Sequence, residues 1–205
     1  MITFRFDSTS CIAVGTFNMY VIQPGWLVDR GILPKISQMM LGTNLDEPGF
    51  HFSVPGEQTR WAVTPHRVEV SSKHEDDDCG KLVANVVRSL PWTPLKAVGC
   101  NFNYTATADE MRTLRPFLNF PTTPPHGYKA EEHQAMFSMR RDNRLYSVKL
   151  SILPDGGELL ANAQEDINQR GGEQAAKMAD SFFEHRERLE QIIRETLNVD
   201  LSYAG

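Results

Sequence analysis

Apolar and polar residues alternate along several segments of the chain, and this period of two is typical of strands with one buried face. Residues 2–6 and 11–22 carry the first of these patterns. Gly15 interrupts the second segment, so we expect a bulge or a bend at that position. The segment 95–104 shows the clearest alternation. Its apolar face consists of Val98, Cys100, Phe102 and Tyr104.

Further strands are expected at 50–54 and 58–71, with Pro65 at an edge or a bulge because proline donates no ladder hydrogen bond. Residues 135–153 are typical of a hairpin that turns at Asp142 and Asn143. A second turn follows at 154–157. The segment 158–170 contains good helix formers, but the strong turn before it favours a third strand.

A helical period appears in four places. Residues 26–40 are expected to form two short pieces, split by Gly31 and Pro34, followed by a loop over 42–49. Four consecutive acids in 73–78 precede a periodic segment that ends at Leu90 and are typical of a helix start. They lack the ligand spacing of a calcium loop. Thr107 and Glu110 have the spacing of a capping box.

The most regular pattern is the apolar stripe along 173–198, which predicts one long amphipathic helix at the C-terminal end. Together these elements predict a single α+β domain spanning 1–205, with a mainly antiparallel sheet that helices cover on one face. The order of elements also suggests a tandem strand–helix–strand–strand duplication, with halves 1–91 and 92–205 that meet at the proline-rich segment 91–94.

Composition narrows the classes of function. The chain has 205 residues, 40% hydrophobic residues and a formal net charge of −5. An acidic balance disfavours nucleic acid as a partner, because that affinity depends on clustered Lys and Arg. No apolar segment is long enough to cross a membrane, and no secretory signal is visible. Three dispersed cysteines fit a reducing cytoplasm, which makes a cytoplasmic location the expectation.

Motif searches find no phosphate loop, nucleotide fingerprint, nucleophile elbow or zinc-protease signature. The weak acid/base or metal candidates are His126, Glu131, Glu132 and His133, in a proline-rich stretch that is predicted to be a surface loop. Solvated loop residues are the plainer interpretation of these four. We therefore predict no cofactor and no metal.

Basic residues cluster at the turn of the predicted 135–153 hairpin. Arg140, Arg141 and Arg144 surround Asp142 and Asn143, so this hairpin end is a candidate contact for an anionic partner. The alternative is a charged hairpin end that resists edge pairing.

The absence of a catalytic constellation favours a non-catalytic interaction or accessory protein, which would bind another protein or itself through a sheet edge or the C-terminal helix. An alternative is a small-molecule binding module with its ligand in a groove between two α+β halves. An enzyme that uses the loop histidines is a third hypothesis, and it is less favoured.

Overall fold

A computed structural model of the chain describes residues 2–35, 40–43, 48–53, 58–114, 133–167 and 171–203. Within these residues the protein is a mixed α+β structure in which a ten-stranded sheet dominates. The strands are β1 (Thr3–Gly15), β2 (Met40–Thr43), β3 (Phe50–Ser53), β4 (Thr59–Val63), β5 (Arg67–Ser72), β6 (Leu95–Thr107), β7 (His133–Arg141), β8 (Arg144–Leu153), β9 (Gly156–Asp166) and β10 (Asp200–Ser202).

The strand order is β2-β3-β4-β5-β1-β6-β9-β8-β7, and every neighbouring pair in this series is antiparallel. The short strand β10 pairs in parallel with the beginning of β1. The predicted antiparallel α+β class is therefore confirmed, and so are the preference for a strand after the 154–157 turn and the hairpin turn at Asp142 and Asn143.

Five helices are found in the described residues: α1 (Pro24–Asp29), α2 (Cys79–Ser89), α3 (Ala108–Leu114), α4 (Gly172–Asp180) and α5 (Phe182–Leu197). None of them is long and apolar enough to cross a membrane. The acidic run does begin a helix, because the Asp78 side chain accepts a hydrogen bond of 2.8 Å from the backbone N–H of Lys81.

The two longest strands, β1 and β6, lie side by side at the centre of the sheet. Cys11 and Cys100 are opposite each other in this pair, with 4.0 Å between their sulfur atoms, and both thiols are fully buried. Burial raises the pKa of the third thiol, Cys79. The predicted irregularity at Gly15 is present, because the register shifts there and an added Cβ would lie 2.5 Å from the carbonyl oxygen of Pro94.

The prediction of one helix over 173–198 is wrong. Helices α4 and α5 are separated at Ser181, whose backbone ψ of 22° leaves the helical region. The amide of His185 still donates to the carbonyl of Ser181, at 2.9 Å, so the apolar stripe passes through the bend without a break in its spacing. A hydrophobic period therefore cannot reveal this bend, which lies where Gly80 of α2 packs against Ala179 and Phe182.

Two strand and helix boundaries also differ from the predictions. Pro65 does not lie within a long strand over 58–71, because it forms the turn between β4 and β5. Thr64 closes that turn by accepting the N–H groups of His66 and Arg67, each at 3.1 Å. In the segment 26–40 only α1 is helical among the described residues, and Met40 begins β2, which includes part of the predicted loop over 42–49.

The capping box is confirmed at the start of α3. The carboxylate of Glu110 accepts the N–H of Thr107 at 2.9 Å, while the Thr107 hydroxyl accepts the N–H of Glu110 at 3.4 Å. Arg5 of β1 donates two hydrogen bonds of 2.9 Å to the same carboxylate. The hydrogen bond from Arg5 is the main reason why the pKa of Glu110 is lowered to about 2.

Glu110→Gln keeps an oxygen that can accept the cap hydrogen bonds but removes the charge that pairs with Arg5, so we expect it to lower the free energy of unfolding at pH 7 by up to about 1 kcal/mol. Because the pKa of Glu110 is depressed from 4.5, its stabilising effect is complete above pH 4.5 and is lost as the pH falls towards 2. Urea denaturation at pH 7 and pH 3 tests this expectation. The exposed Glu187→Gln serves as the control, and an equal loss in both variants would contradict the stabilising role of the Arg5–Glu110 ion pair.

Candidate functional site

The predicted basic cluster lies at the end of the β7–β8 hairpin, and the sheet register divides it. Arg141 and Arg144 are opposite each other next to the two-residue turn. Arg140 is opposite Leu145, one residue further along each strand. Side chains of successive strand residues point to opposite faces, so Arg140 lies on one face of the sheet while Arg141 and Arg144 lie on the other.

Helix α5 completes the site on the face that Arg141 and Arg144 share. A cavity of about 240 Å³ lies between the hairpin end and this helix, which we term the basic cavity. It is lined by Arg141, Asp142, Arg144, Tyr146, Glu184, His185 and Arg188. Sequence reasoning identified Arg141 and Arg144 but missed His185 and Arg188.

The three arginines of the basic cavity are in different electrostatic situations. Arg144 pairs with the largely buried Glu165 at 3.3 Å, and Gln174 donates to the other oxygen of that carboxylate at 2.5 Å. Among the described residues, neither Arg141 nor Arg188 has an acidic oxygen within 4.0 Å. Two guanidinium groups therefore flank the cavity with their charges unpaired.

His185 forms part of the inner wall, with only 1% of its surface exposed. Burial, assisted by the charge of Arg144, lowers the pKa of this imidazole to about 4, so the ring is neutral at pH 7. A hydrogen bond to the backbone of Met178 acts in the opposite direction. Nε2 has no hydrogen-bond partner, so that bond uses Nδ1. In this tautomer Nε2 is an acceptor whose lone pair is unused.

The strand β7 also forms one edge of the sheet, since within the described residues it pairs only with β8. Met136 is 71% exposed and Met139 is 40% exposed on this edge. Strands at an edge present unpaired N–H and C=O groups and usually carry features that discourage further pairing. Here Met139 is followed directly by Arg140 and Arg141.

The other candidate site cannot be assembled from the described residues. His126, Glu131 and Glu132 lie outside them, while His133 is the first residue of β7, opposite Ile152. No group of three His, Cys, Asp or Glu side chains in the described parts of the chain is arranged to hold a metal ion.

Neither a protein-family model nor a curated protein matches this chain. Unpaired guanidinium groups beside a neutral imidazole suit the binding of an oxyanion.

Proposed function

We propose that this is a non-catalytic binding protein that recognises an extended segment of another protein along the edge of β7. The observation that carries the proposal is the exposure of Met136 and Met139 on a nine-residue edge strand that ends in two arginines. In recognition by strand addition, main-chain hydrogen bonds provide affinity and side chains on alternate positions provide specificity.

The register of the hairpin indicates which β7 residues can receive a new strand. Arg141 and Arg144 flank a two-residue turn, and the pair that closes such a turn exchanges hydrogen bonds. Hydrogen-bonded and non-hydrogen-bonded pairs alternate along β7 and β8, so Arg140 and every second residue before it belong to non-hydrogen-bonded pairs. The residues of β7 whose N–H and C=O groups point away from β8 are therefore Gln134, Met136, Ser138 and Arg140.

The side chains of Met136, Ser138 and Arg140 lie on one face of the sheet. The backbone N–H and C=O groups of the same three residues point outward from the edge of the sheet. Met136 suits an apolar residue of the added strand, and Arg140 suits an acidic residue near one end. Two copies of the chain, each with a net charge of −5, repel each other overall. The basic end of β7 therefore favours an acidic segment of another protein over a second copy of the chain.

A synthetic peptide that alternates valine and threonine and ends in glutamate provides a direct test, with fluorescence anisotropy as the measurement. Ser138→Pro removes an N–H that points outward, and we expect at least a tenfold loss of affinity. Ser138→Ala removes the hydroxyl but keeps the N–H, so its affinity should match that of the original protein. The same peptide ending in lysine should bind more weakly.

Amide hydrogen exchange adds a signature that is specific to strand addition. Bound peptide should slow the exchange of Met136, Ser138 and Arg140 while leaving the amides that already bond to β8 unchanged. Slow exchange of these three amides in the free protein, or dimerisation of the chain through β7 in sedimentation experiments, would contradict recognition of a separate protein.

We also infer that the helices cover one face of the sheet and that the halves 1–91 and 92–205 arose by duplication. Helix α2 contacts β1 and β5, α4 contacts β6, and α5 contacts β9, which supports the first inference. The second is supported by β1 and β6, which both have 13 residues and both precede a helix and an antiparallel meander that returns to them. Three buried free thiols agree with a cytoplasmic location.

The small-molecule alternative places a ligand in a groove between the helices of these halves. It has less support, because Gly80 of α2 lies directly against Ala179 and Phe182.

A further inference from the structure

The two central strands bring a pair of thiols into contact. Cys11 of β1 lies directly opposite Cys100 of β6, and their sulfur atoms are 4.0 Å apart although the two residues are 89 positions apart in the chain. The register between the strands is continuous from Ser8 to Val14, so the pair lies in regular antiparallel sheet. Both side chains are fully buried in the core.

The backbone at this pair is already compatible with a covalent bond. Directly opposite residues of an antiparallel pair have Cα atoms about 5.5 Å apart where they exchange hydrogen bonds and about 4.5 Å apart where they do not. Disulfides span Cα separations of about 4.4–6.8 Å, a range that includes both values. Rotation of the two cysteine side chains can therefore bring the sulfur atoms to bonding distance without movement of either strand.

The third thiol belongs to a different element. Cys79 is the first residue of α2 and is also buried, but within the described residues it forms no hydrogen bond with Cys11 or Cys100. As a helix residue it has no cross-strand partner. Cys79 therefore provides a matched internal control for any chemistry that depends on the pairing of two thiols.

We propose that Cys11 and Cys100 are a site of oxidation, and that they form a disulfide when the protein reacts with hydrogen peroxide. One sulfur attacks a peroxide oxygen, the O–O bond breaks, and a sulfenic acid and one water form. The second sulfur then attacks the sulfenic sulfur, the S–S bond forms and the S–O bond breaks, and the hydroxide leaves as water with the second thiol proton. Two thiols together lose two electrons and two protons, and one peroxide is reduced to two waters.

The surroundings of the pair determine how fast this reaction proceeds. The hydrogen bond with Cys100, together with burial, raises the pKa of Cys11 well above its usual value, so the reactive thiolate is scarce. Peroxide is small and uncharged and reaches the pair when the sheet opens locally. We therefore expect slow oxidation of the folded protein, and faster oxidation in urea at concentrations below the unfolding transition.

The bond would link the segments 1–91 and 92–205 at the centre of the sheet. Strand β6 is separated from β7 by β9 and β8, so the pair is remote from the edge to which the peptide is proposed to bind. The oxidation site therefore goes beyond the proposed function and does not depend on it.

The experiment treats the full chain with hydrogen peroxide at pH 8, with and without urea below the unfolding transition, and follows the intact mass and the peptide map. We expect the loss of two hydrogen atoms and a cross-linked peptide that contains Cys11 and Cys100. Cys79→Ala should behave in the same way, whereas Cys11→Ala should not lose the two hydrogen atoms. If Cys11→Ala does not fold, the peptide map of the original protein still identifies the bonded residues.

Urea denaturation of the oxidised protein provides a second measurement. A bond between residues so distant in the chain restricts the unfolded state, so the urea midpoint should rise by about 1 M or more and return to its original value after reduction with dithiothreitol. The same rise is expected in Cys79→Ala.

Three results would overturn the proposal: a disulfide that includes Cys79, a disulfide between two copies of the chain, or no bond between Cys11 and Cys100 even where urea opens the sheet. Peptide binding at β7 is measured on the reduced protein, so failure of one proposal leaves the other standing.

Discussion

Gly80→Ala is expected to lower the free energy of unfolding by about 2–3 kcal/mol, the cost of overpacking a close contact. Gly80 is the second residue of α2, and a Cβ added there would lie 2.5 Å from Cβ of Phe182 and closer still to the carbonyl oxygen of Ala179. Neither group is the end of a flexible side chain. Helices α2, α4 and α5 would have to separate to admit one methyl group.

Helix propensity alone predicts that Gly80→Ala stabilises the protein, since alanine is favoured over glycine in helices by up to about 1 kcal/mol. The expected loss of stability is therefore the opposite of that prediction. Gly25→Ala is the matched control. Gly25 is also the second residue of its helix, α1, but an added Cβ there meets nothing within 4 Å. Urea denaturation should therefore show a stability within about 0.5 kcal/mol of the original protein for Gly25→Ala. Equal effects at both positions would mean that α2 does not pack against α4 and α5 in this way.

The elements that the sequence predicted well are those whose pattern is local. The alternation through Val98, Cys100, Phe102 and Tyr104 corresponds to the buried face of β6, because successive side chains of a strand point to opposite faces and one face of β6 is buried. The capping box and the acidic helix start also follow from hydrogen bonds over three residues. The bend at Ser181 was not predictable in this way, because the apolar spacing continues through it; it lies beside Gly80 of α2, which is distant in sequence.

Only part of the candidate site could be predicted from the sequence, because the rest depends on contacts between distant segments. The two-residue turn at Asp142 and Asn143 brings Arg141 and Arg144 together, but assigning Arg140 to the opposite face requires the register of the hairpin. Arg188 joins the site only through the tertiary packing of α5. His185 did leave a signal, since it lies three residues after Phe182 and four before Leu189, on the apolar stripe where a histidine is expected to be buried.

His185 also makes the protein sensitive to acid. Its pKa is lowered from 6.5 to about 4, mainly by burial, so the unfolded chain binds a proton at a pH where the folded protein does not. The contribution to stability is therefore complete above pH 6.5 and is lost as the pH falls towards 4. We expect a loss on the order of 2 kcal/mol from this residue between pH 7.5 and pH 4.5.

The test compares the pH dependence of unfolding in the original protein with that in His185→Phe. The charged groups that act on this ring, Arg144, Glu165 and Glu184, are present in both proteins, so the difference between the two mainly reports His185. The variant should lose less stability than the original protein on acidification. An imidazole titration followed by NMR should show a midpoint near 4 for His185, and a midpoint near 6.5 would mean that the ring is solvated in the folded protein.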